Sequence, residues 1–196
     1  MYRIGLVLVL VLVLLSTTVF ADSSGQAVYE STCAACHGVD ANGIDALSTP
    51  KLRGQHAPYL KRQLAHFRQG VRFTGRYAQT MGAIAQDLTM AQIATVTQYL
   101  ASLEPGSPSF IADTESLFSG RNCVSCHGED GRSSAWGVAP SLAGQNPWYV
   151  ERQLQDFRDG NRGSHKSDLR GRMMRPQAES LSDEQIKALG KYVSTL

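Results

Sequence analysis

The chain has no block of basic residues of the kind that binds nucleic acid, and its formal net charge is only +2. We therefore expect no nucleic-acid partner. Runs of alternating β-branched and polar residues are also missing, so strands are not indicated. Cysteine is scarce, with four residues in all. The one long hydrophobic run lies at the N-terminus.

Residues 1–21 have the pattern of a secretory signal peptide. Arg3 supplies a positive start, residues 4–15 form the apolar region, and a small-residue cleavage site ends at Ala21. Cleavage before Asp22 would leave 175 residues with 18 basic and 17 acidic side chains. The alternative is an uncleaved membrane anchor, because the apolar stretch is close to the ~17-residue minimum for a spanning helix. In both cases the globular part is exported.

All four cysteines occur in two copies of the motif Cys-x-x-Cys-His. This motif is typical of c-type haem attachment, because two thiols one helical turn apart can add to the haem vinyl groups while the adjacent imidazole reaches the iron. We therefore predict two covalently bound haem c groups. The motif residues are Cys33, Cys36 and His37 in the first half and Cys123, Cys126 and His127 in the second.

Two other uses of paired cysteines fit the sequence less well. A structural zinc site typically has its cysteine pairs ~15–20 residues apart, whereas the pairs here begin at Cys33 and Cys123. A thioredoxin-like dithiol lies at a strand-to-helix junction, and neither motif follows a β-branched run. The histidine after each pair favours haem over both alternatives.

The second half of the chain repeats the first at an offset of 90 residues, which becomes 93 beyond Arg72. Both halves share Pro-x-Leu-x-Gly-Gln, from Pro50 and Pro140, and Tyr-x-x-x-Gln-Leu-x-x-Phe-Arg-x-Gly, from Tyr59 and Tyr149. The loop that follows is three residues longer in the second half. It is also more basic, so the two halves are not equivalent there.

Each repeat is predicted to be helical. Pro58 and Pro147 open an amphipathic helix that Gly70 and Gly160 close, the usual order of proline first and glycine last. A last helix follows a capping box in each half, and a short helix is expected before each cysteine motif. The capping boxes are Thr89-x-x-Gln92 and Ser182-x-x-Gln185.

Two prolines and a glycine in residues 104–108 separate the repeats. The predicted organisation is a signal peptide at 1–21, a first domain at 22–104, a linker at 105–108 and a second domain at 109–196. Domains of this size bury a limited apolar core, so a covalent macrocycle would supply much of the missing apolar contact. We therefore expect each domain to fold poorly without its haem.

The repeat also indicates the second axial ligand of each iron, because a group that both haems need should recur. Met81 and Met174 occupy equivalent positions, whereas His56, His66 and His165 do not recur. Methionines usually fill cores, but these two follow polar loops. His/Met ligation raises a reduction potential and leaves no open position for substrate. Met173 is the alternative to Met174 as the second axial ligand in the second half.

Other repeated residues are candidates for supporting roles. Pro50 and Pro140 are either ordinary loop prolines or residues whose carbonyls accept a hydrogen bond from the Nδ1–H of the motif histidines. The tyrosines and arginines that recur are candidates for contacts with haem edges or propionates, although ordinary packing or surface charge would also explain them. They are Tyr59, Tyr149, Arg68, Arg158, Arg72 and Arg162.

Together the two motifs with their glycines, Gly38 and Gly128, the two repeated helices and the paired methionines resemble the exported dihaem cytochromes of the cytochrome c4 family. The resemblance covers nearly all of residues 22–196. It implies an all-α fold of two tandem cytochrome c domains, related by a pseudo-twofold, with the haems facing each other. It also implies a periplasmic electron carrier, often loosely membrane-associated, in bacterial respiration.

The resemblance implies redox partners such as a membrane terminal oxidase or a quinol–cytochrome c oxidoreductase. The main alternative is the dihaem subunit of an exported dehydrogenase, such as a flavocytochrome that oxidises sulfide. A dihaem peroxidase is disfavoured, because it needs an iron with an available position. We therefore expect an electron-transfer protein with no catalytic residues.

Overall fold

The computed structural model describes residues 24–75, 77–105, 115–133 and 139–196. The predicted signal peptide and most of the predicted linker lie outside these residues. The described residues contain helices and turns but no strand, apart from an isolated bridge between Ile44 and Thr49. The α-helices are α1 (Gly25–Val28), α2 (Ala34–His37), α3 (Ala57–Arg68), α4 (Ala78–Asp87), α5 (Met90–Ser102), α6 (Glu115–Gly120), α7 (Val124–His127), α8 (Pro147–Arg158), α9 (Leu169–Glu179) and α10 (Asp183–Val193).

A short helical segment precedes the cysteine motif in both units, as predicted. In the first unit a π-helical turn, Tyr29–Cys33, joins α1 to α2. In the second unit a turn separates α6 from α7, and Asn122 adopts a left-handed φ of 59° there. Each motif helix ends at glycine, with φ of 82° at Gly38 and 77° at Gly128, which other residues adopt only with strain.

The longer predicted helices are confirmed. α3 and α8 have proline in their first turn, and Gly70 and Gly160 follow their ends with positive φ. α5 and α10 begin at complete capping boxes, in which the cap hydroxyl and the glutamine side chain each accept a backbone N–H. The residues that start and end these helices lie within one turn of each boundary, so the sequence alone suffices to locate the helices.

The structure also contains two helices that the sequence patterns do not predict, α4 and α9. They hold Met81 and Met174, which the sequence places after polar loops. α9 is not predicted from the sequence, because its residues are mostly polar and Pro176 lies inside it. It forms because the Asp168 side chain caps it by accepting the Gly171 amide at 2.9 Å, and because it packs against α8.

The two units pack in the same way. α5 contacts α1 and α3, and α10 correspondingly contacts α6 and α8. Each core contains a tilted aromatic pair, Tyr29 with Tyr99 at 5.8 Å and Phe118 with Tyr192 at 5.5 Å between ring centroids. Both cores are small, so each unit gains limited stability from its own apolar packing.

Reciprocal hydrogen bonds join the two units. Gln55 donates to the Ser141 carbonyl at 2.8 Å and accepts from the Ser141 amide at 2.9 Å. Gln145 makes the same two bonds with Lys51, at 2.9 and 3.0 Å. Because Gln145 and Ser141 stand 90 residues after Gln55 and Lys51, the interface has approximate twofold symmetry. The expected all-α pair of related domains is confirmed.

Candidate functional site

The motif residues of each unit lie on one short helix and the residue before it. His37 and His127, at the ends of α2 and α7, are both buried. The first cysteine of each motif is half-buried and the second is exposed, and none of the four forms a disulfide: Cys33, Cys36, Cys123 and Cys126. A helical turn therefore presents two thiols and one imidazole together in each unit.

Each motif histidine is oriented by the predicted backbone carbonyl. Nδ1 of His37 lies 3.0 Å from the Pro50 oxygen, and Nδ1 of His127 lies 3.0 Å from the Pro140 oxygen. A carbonyl only accepts, so Nδ1 carries the hydrogen and Nε2 keeps its lone pair. Burial lowers the pKa of both imidazoles, although these hydrogen bonds oppose it. A neutral imidazole with a free Nε2 is the form that binds iron.

The structure weighs against the zinc and dithiol alternatives. Burial raises the pKa of Cys33 to about 11 and also raises that of Cys123. A reactive dithiol needs the opposite shift, because the thiolate is the nucleophile. Within the part of the chain that the structure describes, no three His, Cys, Asp or Glu side chains cluster as metal ligands would.

A mainly apolar cavity lies beside the second motif, and both units form its walls. The first unit contributes residues of α3 and of the segment before it, including Leu52, Tyr59 and Leu60. The second unit contributes the predicted site residues and apolar side chains of α8 and α10. These are Cys123, Cys126, His127, Met174, Phe157 and Leu189.

The structure brings the predicted axial residues of the second unit to this one cavity. Met174 lies on α9, is half-buried and lines the cavity. Met173 lines it too, but its side chain is 55% exposed. Met81 is half-buried at the equivalent position of α4, which packs against α3. In the first unit, His37 thus lies at the end of α2 and Met81 on α4.

The repeated arginines and tyrosines meet at the interface between the units. Arg72 donates to the side-chain oxygen of Gln63 in its own unit at 2.8 Å. It also donates across the interface to Tyr149 at 3.3 Å and Gln153 at 2.6 Å. Arg162, the equivalent of Arg72 in the second unit, makes the corresponding hydrogen bonds. It donates to Gln153 at 2.6 Å and to Tyr59 and Gln63, each at 3.1 Å.

This cluster concentrates positive charge beside the cavity. Burial by itself would raise the pKa of Tyr149, but Arg72 and Arg162 outweigh it and lower that pKa. The Nε atom of Arg162 is buried, and it has no hydrogen-bond partner among the described residues. Since Arg162 also lines the cavity, a ligand that brings a carboxylate to this wall would fit.

Arg68 and Arg158 make the packing contacts that were the alternative to haem contact. Arg68 donates to the Leu88 carbonyl at 3.0 Å, and Arg158 donates to the Leu181 carbonyl at 3.2 Å. Each bond ties the long helix α3 or α8 to the residue before the last helix's cap. These arginines hold the helices of each unit together, and their repetition reflects that packing.

Sequence reasoning missed one contact between the units. His66 of α3 is buried, and its Nδ1 lies 3.8 Å from Oδ1 of Asp168, the residue that caps α9. Burial lowers the pKa of His66, and the arginines Arg62, Arg162 and Arg72 add to this, whereas Asp168 opposes it. Nothing in the repeat signals the contact, because His66 aligns with an aspartate.

The His66 contact predicts a pH dependence of stability. Its pKa in the folded state lies below the ordinary value of 6.5. The unfolded chain therefore binds the proton more tightly, and stability is lost as pH falls below that value. We expect His66→Asn to flatten this loss in urea unfolding of the holoprotein at pH ~5 and ~8. His165→Asn, in an exposed loop, is the control, and an equal flattening by it would contradict the assignment.

Known proteins that are similar to this chain are c-type cytochromes, in agreement with the two helical units and their cysteine motifs. The Cytochrome c family model matches residues 23–104 and 111–196. A cytochrome c4 from Pseudomonas aeruginosa is 32% identical, over 96% of this chain and 98% of the relative. A thiosulfate dehydrogenase electron acceptor from Stutzerimonas stutzeri is 30% identical, over 89% of this chain and 87% of the relative. The crystal structure of reduced recombinant cytochrome c4 from Pseudomonas stutzeri has a TM-score of 0.74 at 29% identity, covering 88% of this chain and 96% of that one.

The duplicated helical fold, with one attachment motif in each unit, defines a dihaem c-type cytochrome. It holds two covalently bound haem c groups. Within that class, the chain belongs to the cytochrome c4 family. It is an electron-transfer protein and not an enzyme.

Proposed function

We propose that this protein is an exported electron carrier of a respiratory chain, which passes electrons to a terminal oxidase or a similar acceptor. The observation that carries the proposal is the cavity of the second unit, whose walls include α3 of the first unit. The second haem site would therefore lie against the first unit, which would favour electron exchange between the two haems inside the protein. Haem supplies reversible one-electron chemistry.

We assign the site residues in the same terms. Cys33, Cys36, Cys123 and Cys126 hold the two haems through thioether bonds. The axial ligands of the iron are His37 and Met81 in the first unit and His127 and Met174 in the second. The Pro50 and Pro140 carbonyls support this by fixing the histidine tautomer. Met174, being less exposed than Met173 and equivalent to Met81, is the better ligand of the pair.

Residues of the interface suit the haem carboxylates. Arg162 lines the cavity, and its hydrogen bonds to Tyr59, Gln63 and Gln153 hold its guanidinium in place. A carboxylate there would accept a charge-assisted hydrogen bond. With both axial positions filled by protein, the iron has no position for substrate, which suits a carrier.

The domain organisation is part of the proposal. A leader at residues 1–21 directs export to the periplasm, the domains span 22–104 and 109–196, and residues 105–108 link them. Within the described residues, no helix is long and apolar enough to cross a membrane. A loose association with the membrane surface would place the carrier beside quinol–cytochrome c oxidoreductase as donor and the oxidase as acceptor.

A second function is favoured by one comparison. Since a relative is named as the electron acceptor of thiosulfate dehydrogenase, this chain is also a candidate for the acceptor or cytochrome subunit of an exported dehydrogenase, such as a sulfide-oxidising flavocytochrome. Stable co-purification with a dehydrogenase would favour this role. The first proposal requires only transient partners.

The test is oxidation of the reduced holoprotein by membranes of the native host. We expect rapid, cyanide-sensitive oxidation coupled to oxygen uptake, and no turnover of peroxide, sulfide or thiosulfate by the purified chain. A Met81→Ala/Met174→Ala variant is the matched control, because it opens both irons and should gain reactivity with peroxide. Robust substrate turnover by the unmodified chain would overturn the carrier assignment.

A further inference from the structure

Two large apolar side chains are exposed on α9. Leu169 is 67% exposed and Met173 is 55% exposed, and they stand four residues apart, so they lie on the same face of the helix. Met173 and its neighbour Arg170 also line the cavity of the second unit. This apolar face is therefore at the edge of the second haem site.

Exposed cations surround this face. Lys166, Arg170 and Arg172 are exposed, and no ion pair with another described residue neutralises them. The neighbouring acidic groups contribute little negative charge to the surface. Asp168 is buried as the cap of α9, and Glu179 lies 3.7 Å from Arg175.

The first unit has no such surface at the corresponding positions that the structure describes. α4 carries no basic residue, and Arg76, which aligns with Leu169, lies outside the described residues. The four remaining positions of the surface, Lys166, Arg170, Arg172 and Met173, align with Phe73, Tyr77, Gln79 and Thr80. Among the positions that the structure describes, the basic apolar surface is thus found in the second unit and not in the first.

We infer that Lys166, Leu169, Arg170, Arg172 and Met173, here called the α9 surface, form the docking site for an acidic redox protein that exchanges electrons with the second haem. The inference rests on the proposed carrier function. One electron passes between the partner and the second unit, so one of them is oxidised and the other reduced by one equivalent. No covalent bond forms or breaks.

The composition of the α9 surface suits a short-lived complex. Opposite charge accelerates encounter by long-range attraction, an effect that falls with ionic strength. Methionine and arginine are enriched at protein interfaces, where an apolar centre within a polar rim excludes water. A small apolar centre of two side chains gives modest affinity, and this permits the rapid dissociation that a carrier needs.

The test uses reduced flavodoxin, an acidic one-electron protein, as the probe. Its reaction with the oxidised holoprotein is followed by stopped-flow absorbance at several salt concentrations. We expect Lys166→Glu/Arg172→Glu to slow the reaction about tenfold at low salt and to remove most of its salt dependence. Lys187→Glu/Lys191→Glu on α10 makes the same charge change in the same unit, and it should retain most of the rate and of the salt dependence.

A second variant tests the apolar centre. Leu169→Ser is expected to weaken saturation by flavodoxin while keeping the salt dependence, because the charges remain. Equal rates for all variants, or an equal loss in the α10 control, would overturn the docking assignment. Reduction by ascorbate is measured in parallel: a chain that is not reversibly reduced by it refutes the carrier function itself, whereas normal reduction confines a failure to the α9 surface.

Discussion

Replacing Cys123 and Cys126 together by alanine should give a protein that carries one haem and whose second unit no longer unfolds cooperatively. Both proposed thioether bonds of that unit would be lost, so the haem would no longer be held beside α7. The remaining core is small, with seven buried side chains in its central cluster among the described residues. A unit of this size depends on its ligand for much of its apolar contact.

Mass spectrometry of the purified chain measures the haem number, and denaturant unfolding followed by circular dichroism measures the fold. The control is Ser125→Ala, which changes an exposed residue between the same two cysteines and should retain both haems. Cys33→Ala/Cys36→Ala should give the complementary result, with the first unit affected. Two haem additions in the Cys123/Cys126 variant would sink the attachment assignment.

Loss of the Met174 thioether should remove about half of the weak long-wavelength sulfur-to-iron band of the ferric protein and lower the potential of one haem. Met174→Ala takes away the proposed ligand of the second iron and should leave the first haem intact. Met81→Ala should remove the other half. Absorption spectra and a redox titration of each variant provide the measurement.

Met173→Ala is the matched control for this prediction, since it deletes a thioether one residue away. Met173 is exposed, so the band should stay at full strength in that variant. If Met173→Ala halves the band and Met174→Ala leaves it unchanged, the register of the second unit is wrong by one residue. An unchanged band in both variants would exclude methionine ligation there altogether.

Local signals account for the parts of the site that could be predicted. The cysteine motif fits within one helical turn, and the glycine after it ends that turn with a positive φ. The internal repeat identified Met81 and Met174 as equivalent positions. The predicted bond from histidine to the Pro50 and Pro140 carbonyls depends on a loop of fixed length, and both units contain it at the same distance.

Other parts of the site depend on residues that are far apart in the sequence. Arg68 and Arg72 both recur in the second half, so the repeat does not distinguish them. Arg68 bonds to the Leu88 carbonyl within its own unit, whereas Arg72 donates hydrogen bonds to Tyr149 and Gln153 of the other unit. The contact between His66 and Asp168 has no counterpart in the repeat and joins the two units. No pattern of local spacing distinguishes these cases.

Sequence patterns alone suffice to predict the duplicated all-α architecture, the two attachment motifs and the four longer helices that caps and prolines delimit. These features follow from interactions within one or two helical turns. Three further features emerge only in the folded chain: polar α9 is a helix, Arg72 and Arg162 each bond to residues of the other unit, and Leu169 and Met173 stay exposed. These outcomes depend on which surfaces the two units bury against each other, and burial is a property of the assembled fold.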